Sequence, residues 1–317
     1  MTPELKSMDY LTGRVPVHPW VEAKRQRFYV YAESHAVASG AANFQIDLQI
    51  DADSHFLIEG VQMLESVAHQ GSALQAPILT AKVKIVESTL GRAWSSDYVP
   101  IYDAAGLGFS QKVLPEPNIV RPSSTISVFV QSVNTGARTF FVALYGRKVY
   151  GLSAEEETFL TRRLCYQYVL NIPNKAAGTL NIKPNPALSI YNDSDFLVKR
   201  LYASSILNFI AGDGYAGAAV NNDITFTLTD LSKNLVLFSA KTPVRCVAGS
   251  QYSLWTSNTQ TVGAQPMSAF NLLKPYLLRR NAILDADFDN LTAATTSGLS
   301  LVLEGPRLFV PAREVAA

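Results

Sequence analysis

Asp53-Ser54-His55-Phe56-Leu57-Ile58 returns 140 residues later as Asp193-Ser194-Asp195-Phe196-Leu197-Val198. In a chain of 317 residues, an echo at a domain-sized period predicts two copies of one folding unit. Other segments pair in the same order. Arg27-Phe28-Tyr29-Val30-Tyr31 faces Leu164-Cys165-Tyr166-Gln167-Tyr168 at an offset of 137, with both tyrosines in phase. Pro117-Asn118-Ile119-Val120-Arg121 faces Pro275-Tyr276-Leu277-Leu278-Arg279 at 158. Leu144-Tyr145-Gly146-Arg147-Lys148-Val149-Tyr150 faces Leu303-Glu304-Gly305-Pro306-Arg307-Leu308-Phe309 at 159. The growing offset places about twenty extra residues in the second copy. The glycine-dense stretch 211–217 is the expected place for them, because loops absorb insertions at small entropic cost.

Local patterning says what the repeated unit is. Phe44, Ile46, Leu48 and Ile50 alternate with Gln45, Asp47 and Gln49, the signature of a strand with one buried face. Residues 81–86 and 224–229 alternate in the same way. Stretches 125–131 and 139–145 also read as strands, and Asn134-Thr135-Gly136 between them reads as a hairpin turn. Residues 101–108 read as loop. Such strand spacing belongs to sandwiches and jelly rolls. Between the copies, Ser153 with Glu156 three positions on forms a capping box, and acids open the segment while Arg162 and Arg163 close it, so a short linker helix is expected at 154–164. The fold class is therefore all-β: two tandem similar β-sandwich or jelly-roll domains joined by a short helix, with an extended N-terminal arm. The expected boundaries are arm 1–24, first domain 25–151, linker 152–164 and second domain 165–317.

Composition narrows the function. Hydrophobic residues make up 48% and charged residues only 17%, which suits a chain that hides surface in an assembly. A formal charge of +1 argues against a broad nucleic-acid footprint, which needs a local basic excess. No signal-peptide core and no run of eighteen apolar residues occurs, so synthesis in the cytoplasm without membrane insertion is expected. Cys165 and Cys246 lack metal-ligand spacing and read as reduced, buried small residues. In the arm, Pro3, Pro16 and Pro19 keep the chain extended, while Trp20 beside His18 offers a large ring to a domain surface or to a neighbouring copy.

A search for chemistry finds no phosphate loop, nucleophile elbow or metalloprotease signature. His18, His35, His55 and His69 are spaced by 17, 20 and 14 residues, which matches no zinc pattern. Asp285-Ala286-Asp287-Phe288-Asp289-Asn290 begins like a calcium loop but lacks its glycine and closing glutamate, so a strand with outward carboxylates accounts for it better. Asp51, Asp53, Asp193 and Asp195 read as turn caps that bond nearby backbone amides. No catalytic, cofactor-binding or metal residue is assigned. Trp94, Tyr98 and Trp255, near expected loops, are the candidate platform should the chain instead bind a carbohydrate or receptor.

The tandem β-units, each with a D-S-x-F-L phrase near its middle and an L-x-G-x-x-[LV]-[YF] phrase at its end, resemble auxiliary virion proteins of tailed bacteriophages. These are capsid decoration or cement proteins and neck or collar proteins built from jelly-roll-like domains. The resemblance implies a non-enzymatic structural protein of the virion, made in the host cytoplasm, that binds copies of itself and a major capsid, portal or neck protein. It implies no cofactor, nucleic-acid partner or membrane partner, and it carries no residue-level site.

Overall fold

The structure, a computed structural model, describes residues 24–67, 81–107, 112–132, 137–172, 178–184, 187–205, 224–238, 240–243, 252–253, 256–257, 260–261, 265–266, 270–291 and 299–309. In the first half the strands are β1 (Gln26–Val37), β2 (Asn43–Gln49), β3 (His55–Val67), β4 (Ala81–Glu87), β5 (Arg92–Ala93), β6 (Val99–Pro100), β7 (Gly106–Leu107), β8 (Lys112–Val120), β9 (Thr125–Ser132) and β10 (Arg138–Val149). One sheet runs β1-β10-β3, with β7 and β8 both on the free edge of β3; the other runs β2-β9-β4, with β5 and β6 on the free edge of β4. Successive long strands thus alternate between two facing sheets, which is a jelly roll.

The second half repeats this order. Its strands are β11 (Arg163–Ile172), β12 (Leu188–Ser189), β13 (Ser194–Ser205), β14 (Ile224–Asp230), β15 (Leu235–Val236) and β16 (Thr242–Pro243), then β17 (Tyr252–Ser253), β18 (Thr256–Ser257), β19 (Gln260–Thr261), β20 (Gln265–Pro266), β21 (Phe270–Leu278), β22 (Ile283–Asn290) and β23 (Leu299–Phe309). The sheets are β11-β23-β13-β21 and β12-β22-β14-β15, with β16 also on β14, and the short strands β17 to β20 form two separate two-stranded pieces. The fold is all-β, two jelly rolls in tandem with a short helix between them.

Three expectations change. Stretches 125–132 and 138–149 are consecutive but belong to opposite sheets, β9 pairing with β2 and β4, and β10 with β1 and β3. The chain crosses the sandwich between them, so no hairpin joins them. Residues 101–108 are not plain loop: Ile101–Ala104 is one helical turn, and Gly106–Leu107 pairs in parallel with β3. Finally, the start of β14 lies 143 residues after that of β4, whereas β21 starts 158 after β8. Most of the extra length therefore sits between β14 and β21, not at 211–217, a stretch outside the described residues.

The repeated phrases owe their persistence to one packing device. Gly146 of β10 crosses β3 so closely that a Cβ would lie 1.9 Å from the carbonyl oxygen of Leu57, and Gly305 of β23 stands at the same 1.9 Å from that of Leu197. At each crossing the register slips by one residue, between Ile58 and Gly60 against β10, and between Phe196 and Arg200 in β13. Such bulges sharpen strand twist, and glycine is required where backbone meets backbone. The turn before the last inward strand also repeats: Ser123 and Asn281 sit 158 residues apart with φ of 60° and 61°. Phe56 packs edge-on against Tyr31 and Phe196 against Tyr168, at 4.7 and 4.8 Å between ring centroids. Each phenylalanine is fully buried at the centre of its sandwich.

The linker helix, Ala154–Thr161, has the expected capping box, with Ser153 Oγ accepting from Glu156 N and Glu156 accepting from Ser153 N. It ends earlier than the charge pattern predicts, because Arg163 already begins β11. Leu152 and Leu160 pack on Leu57, Ile119 and Val149, the outer side of the first sandwich. Charges fasten it there. Glu157 bonds His55 at 3.0 Å and Arg121, and Lys24 meets Glu156 at 2.9 Å.

Candidate functional site: the seam between the jelly rolls and two cation clusters

Buried polar side chains join the two sandwiches. The ammonium of Lys112, on β8 of the first, lies 2.5 Å from Glu304 Oε1, on β23 of the second, and both side chains are 1% exposed. Glu304 also accepts from Gln167 Nε2 (3.0 Å) and from the Tyr202 hydroxyl (2.7 Å), and Arg200 stands 3.4 Å away. Lys112 donates to the carbonyl of Asp103 and lies 4.7 Å from the ring centre of Tyr202. Lys112, Glu304 and Arg200 therefore each have an opposite charge and further hydrogen bonds, the condition under which a buried pair is tolerated.

Around this pair the backbones also interlock. Asn118 accepts from Cys165 N at 2.6 Å and donates to Cys165 O at 3.3 Å, so one amide side chain occupies both groups of a strand residue across the seam. Trp94 O accepts from Gln167 N and Gln167 O from Ser96 N, each at 2.9 Å. Arg163 and Lys199 share the carboxylate of Glu116, at 2.7 and 2.5 Å. Cys165 is buried, and burial pushes its thiol well above the ordinary range. It is an inert core thiol rather than a nucleophile.

Each half also holds a cation of its closing strand on its own aromatic rings. In the first, Lys148 lies 4.4 Å from the centre of Tyr29 and pairs with Asp51 at 2.5 Å and Asp53 at 3.2 Å. Burial pulls this ammonium down, but the hydrogen bonds to Asp51 and Asp53 outweigh it and hold it above the usual lysine range. In the second, Arg307 lies 4.7 Å from the centres of both Tyr166 and Tyr191, and bonds Asp193 at 2.5 Å and Ser194 at 2.9 Å. Burial pushes the phenol of Tyr168 beneath it up to about 12. Asp51, Asp53 and Asp193 therefore serve as acceptors for a cation on the closing strand, while Asp195 caps a backbone amide as the sequence led us to expect, accepting from Arg280 N at 2.9 Å. The signal was present: Lys148 and Arg307 occupy the same place in the two closing phrases.

The residues singled out in sequence fall elsewhere. Trp94 is buried at 6% exposure, with its backbone fixed to Ile85 and Gln167, so its ring is core and cannot serve as an exposed platform. Tyr98 is half-buried beside it. Trp255, Trp20, His18, His69 and Cys246 lie outside the described residues. His35 stacks on Phe44, with ring centroids 5.4 Å apart, and His55 holds the linker helix. Asp285, Asp287 and Asp289 project from one side of β22 toward the amines of Lys183 and Lys241, as a strand with outward carboxylates requires. Sequence reading quoted Asn118 and Glu304 only as parts of repeated phrases and assigned no role to them, to Lys112 or to Glu116.

The strand order and the seam define a tandem jelly-roll protein. No protein-family model matches the sequence, and no curated protein matches it. Among solved structures, the chain is similar to a protein in the atomic structure of Sulfolobus Turreted Icosahedral Virus, with 11% identity and a TM-score of 0.46 over 91% of this chain and 95% of that one. It is similar to the STIV MCP with 12% identity and a TM-score of 0.43, covering 91% and 99%. It is also similar to N-glycanase F, with 9% identity and a TM-score of 0.39, covering 87% and 95%. Likeness at this level carries no function from any of them.

Proposed function

We propose that this chain is a non-enzymatic structural protein of a virus particle, working by packing against copies of itself. The observation that supports the reading is the duplication: two jelly rolls of one strand order, clamped by buried ion pairs into a block that presents two similar bodies to its neighbours. Jelly rolls serve as shell modules in viral capsids. A second feature favours self-association. On the outer face of β1-β10-β3, Phe28 (67% exposed), Phe141 (41%) and Leu64 (37%) stand in the open, and Phe141 and Leu64 face each other across neighbouring strands beside a hollow of about 460 Å³. Exposed apolar surface of this kind marks a contact.

In its finer form the reading is an auxiliary protein of a tailed bacteriophage, a decoration, cement, neck or collar component touching a major capsid or portal protein. That form leans on the repeated phrases alone. Its units are the arm 1–24, bodies 25–151 and 165–317, and the linker 152–164, with Trp20 and His18 of the arm reaching a neighbouring copy. Sedimentation velocity across a concentration series, with electron microscopy of the heaviest species, tests the proposal. Closed or repeating assemblies are expected, and Phe141→Asp should shift them toward single chains. Deleting residues 1–20 should leave the fold intact and lower the assembly order. A chain that stays single at every concentration refutes the structural role.

A further inference from the structure

The two cation clusters differ in one respect that the duplication makes easy to see. In the first half Lys148 faces two carboxylates, Asp51 and Asp53. In the second the position of Asp51 is taken, at the same offset of 140, by Tyr191, so among the described residues Arg307 pairs with Asp193 alone. A second guanidinium then joins it from the other half: Arg92 lies 5.6 Å from the centre of Phe309, and Arg307 lies 4.8 Å from the same ring. Two arginines thus flank Asp193 around a pocket of about 370 Å³ at the seam, and Arg92 also faces Glu87, its cross-strand partner.

The walls specify more than charge. Tyr191 is 43% exposed and, with Phe309, lends the pocket aromatic surface, which suits the C–H face of a ring. Arg307 holds one oxygen of Asp193, whose side chain is 53% exposed and can accept from hydroxyl groups. Arg92 gives one N–H to the carbonyl of Thr161 at 3.3 Å, and its planar fork suits a carboxylate. The volume exceeds what a bare anion fills and reaches the range of small-molecule sites.

We infer that this pocket binds a carboxylated sugar: the carboxylate on Arg92, the ring against Tyr191 and Phe309, and hydroxyls on Asp193. The inference stands apart from the assembly role, since a monomeric chain would carry the same pocket. Calorimetry on the full chain with glucuronate, glucose, acetate and inorganic phosphate tests it. Glucuronate should bind, and the other three should bind at least about tenfold more weakly, because a hydrogen bond to a charged group is worth a factor of ten or more. Arg92→Gln and Tyr191→Ala should both weaken glucuronate by about tenfold, measured well below each variant's own urea midpoint because Arg92 also bonds Thr161 and Tyr191 also packs on Tyr168 and Arg307. Phosphate or acetate binding as tightly as glucuronate, glucose binding as tightly, no binding of glucuronate, or full affinity in both variants would overturn the inference.

Discussion

Replacing Lys112 with Met removes the lysine paired with Glu304 and keeps nearly the same side-chain volume. Glu304, 1% exposed, is then left with Arg200 at 3.4 Å and the neutral donors Gln167 and Tyr202. Removing one member of a buried ion pair costs about 3–5 kcal/mol, because the other charge stays desolvated. Arg200 offsets part of the loss, while the ammonium also gives up its place over Tyr202 and its bond to the Asp103 carbonyl, so the whole range applies. At roughly 2 °C per kcal/mol for a chain of this size, the melting temperature should fall by about 6–10 °C. The double variant Lys112→Met with Glu304→Gln removes both charges of the pair, keeps an acceptor for Tyr202 and leaves Arg200 bonded to Asn271 and the Val113 carbonyl, so it should recover part of the loss. Urea unfolding of the wild type, both single variants and the double variant closes the cycle. A single-variant loss below about 1 kcal/mol, or strict additivity of the two changes, would show that the pair does not clamp the seam.

The remaining predictions concern the repeated devices. Gly146→Ala and Gly305→Ala should each destabilise the fold by about 3 kcal/mol or more, read from the urea midpoint, because a Cβ 1.9 Å from a backbone oxygen forces two strands apart; an unchanged midpoint in either would disprove the close crossing. Glu87 and Asp230 are the same position in the two halves, both buried, yet burial pushes the Glu87 carboxyl up, while hydrogen bonds from Tyr276 and Lys233 outweigh burial and hold Asp230 low. A raised carboxyl contributes stability below its ordinary range and loses it as pH climbs through the raised value. Glu87→Gln should therefore gain on the wild type as pH rises from 4 to 8, and a difference that is flat with pH in paired unfolding curves would count against this account.

Much of the unit was legible. Alternation in 44–50, 81–86 and 224–229 marks β2, β4 and β14, because a half-buried strand needs every second side chain apolar. The capping box at Ser153 and Glu156 is a contact three residues long and reads directly. Other features misled. Asn134-Thr135-Gly136 has hairpin composition, but nothing local tells whether the next strand turns back beside β9 or crosses to the other sheet. Trp94 stands in a turn-rich stretch, and its burial depends on the second sandwich lying against it.

The amino-acid sequence by itself determined the doubling, the all-β character and the linker helix, since each is written in periodicity or in bonds between near neighbours. Only the tertiary structure decided the sheet partners and the clamp. Lys112 and Glu304 are 192 residues apart in sequence, and their pairing exists only where two sandwiches exclude water from both. Burial turns two unremarkable charges into an obligatory pair, and burial is a property of the folded chain.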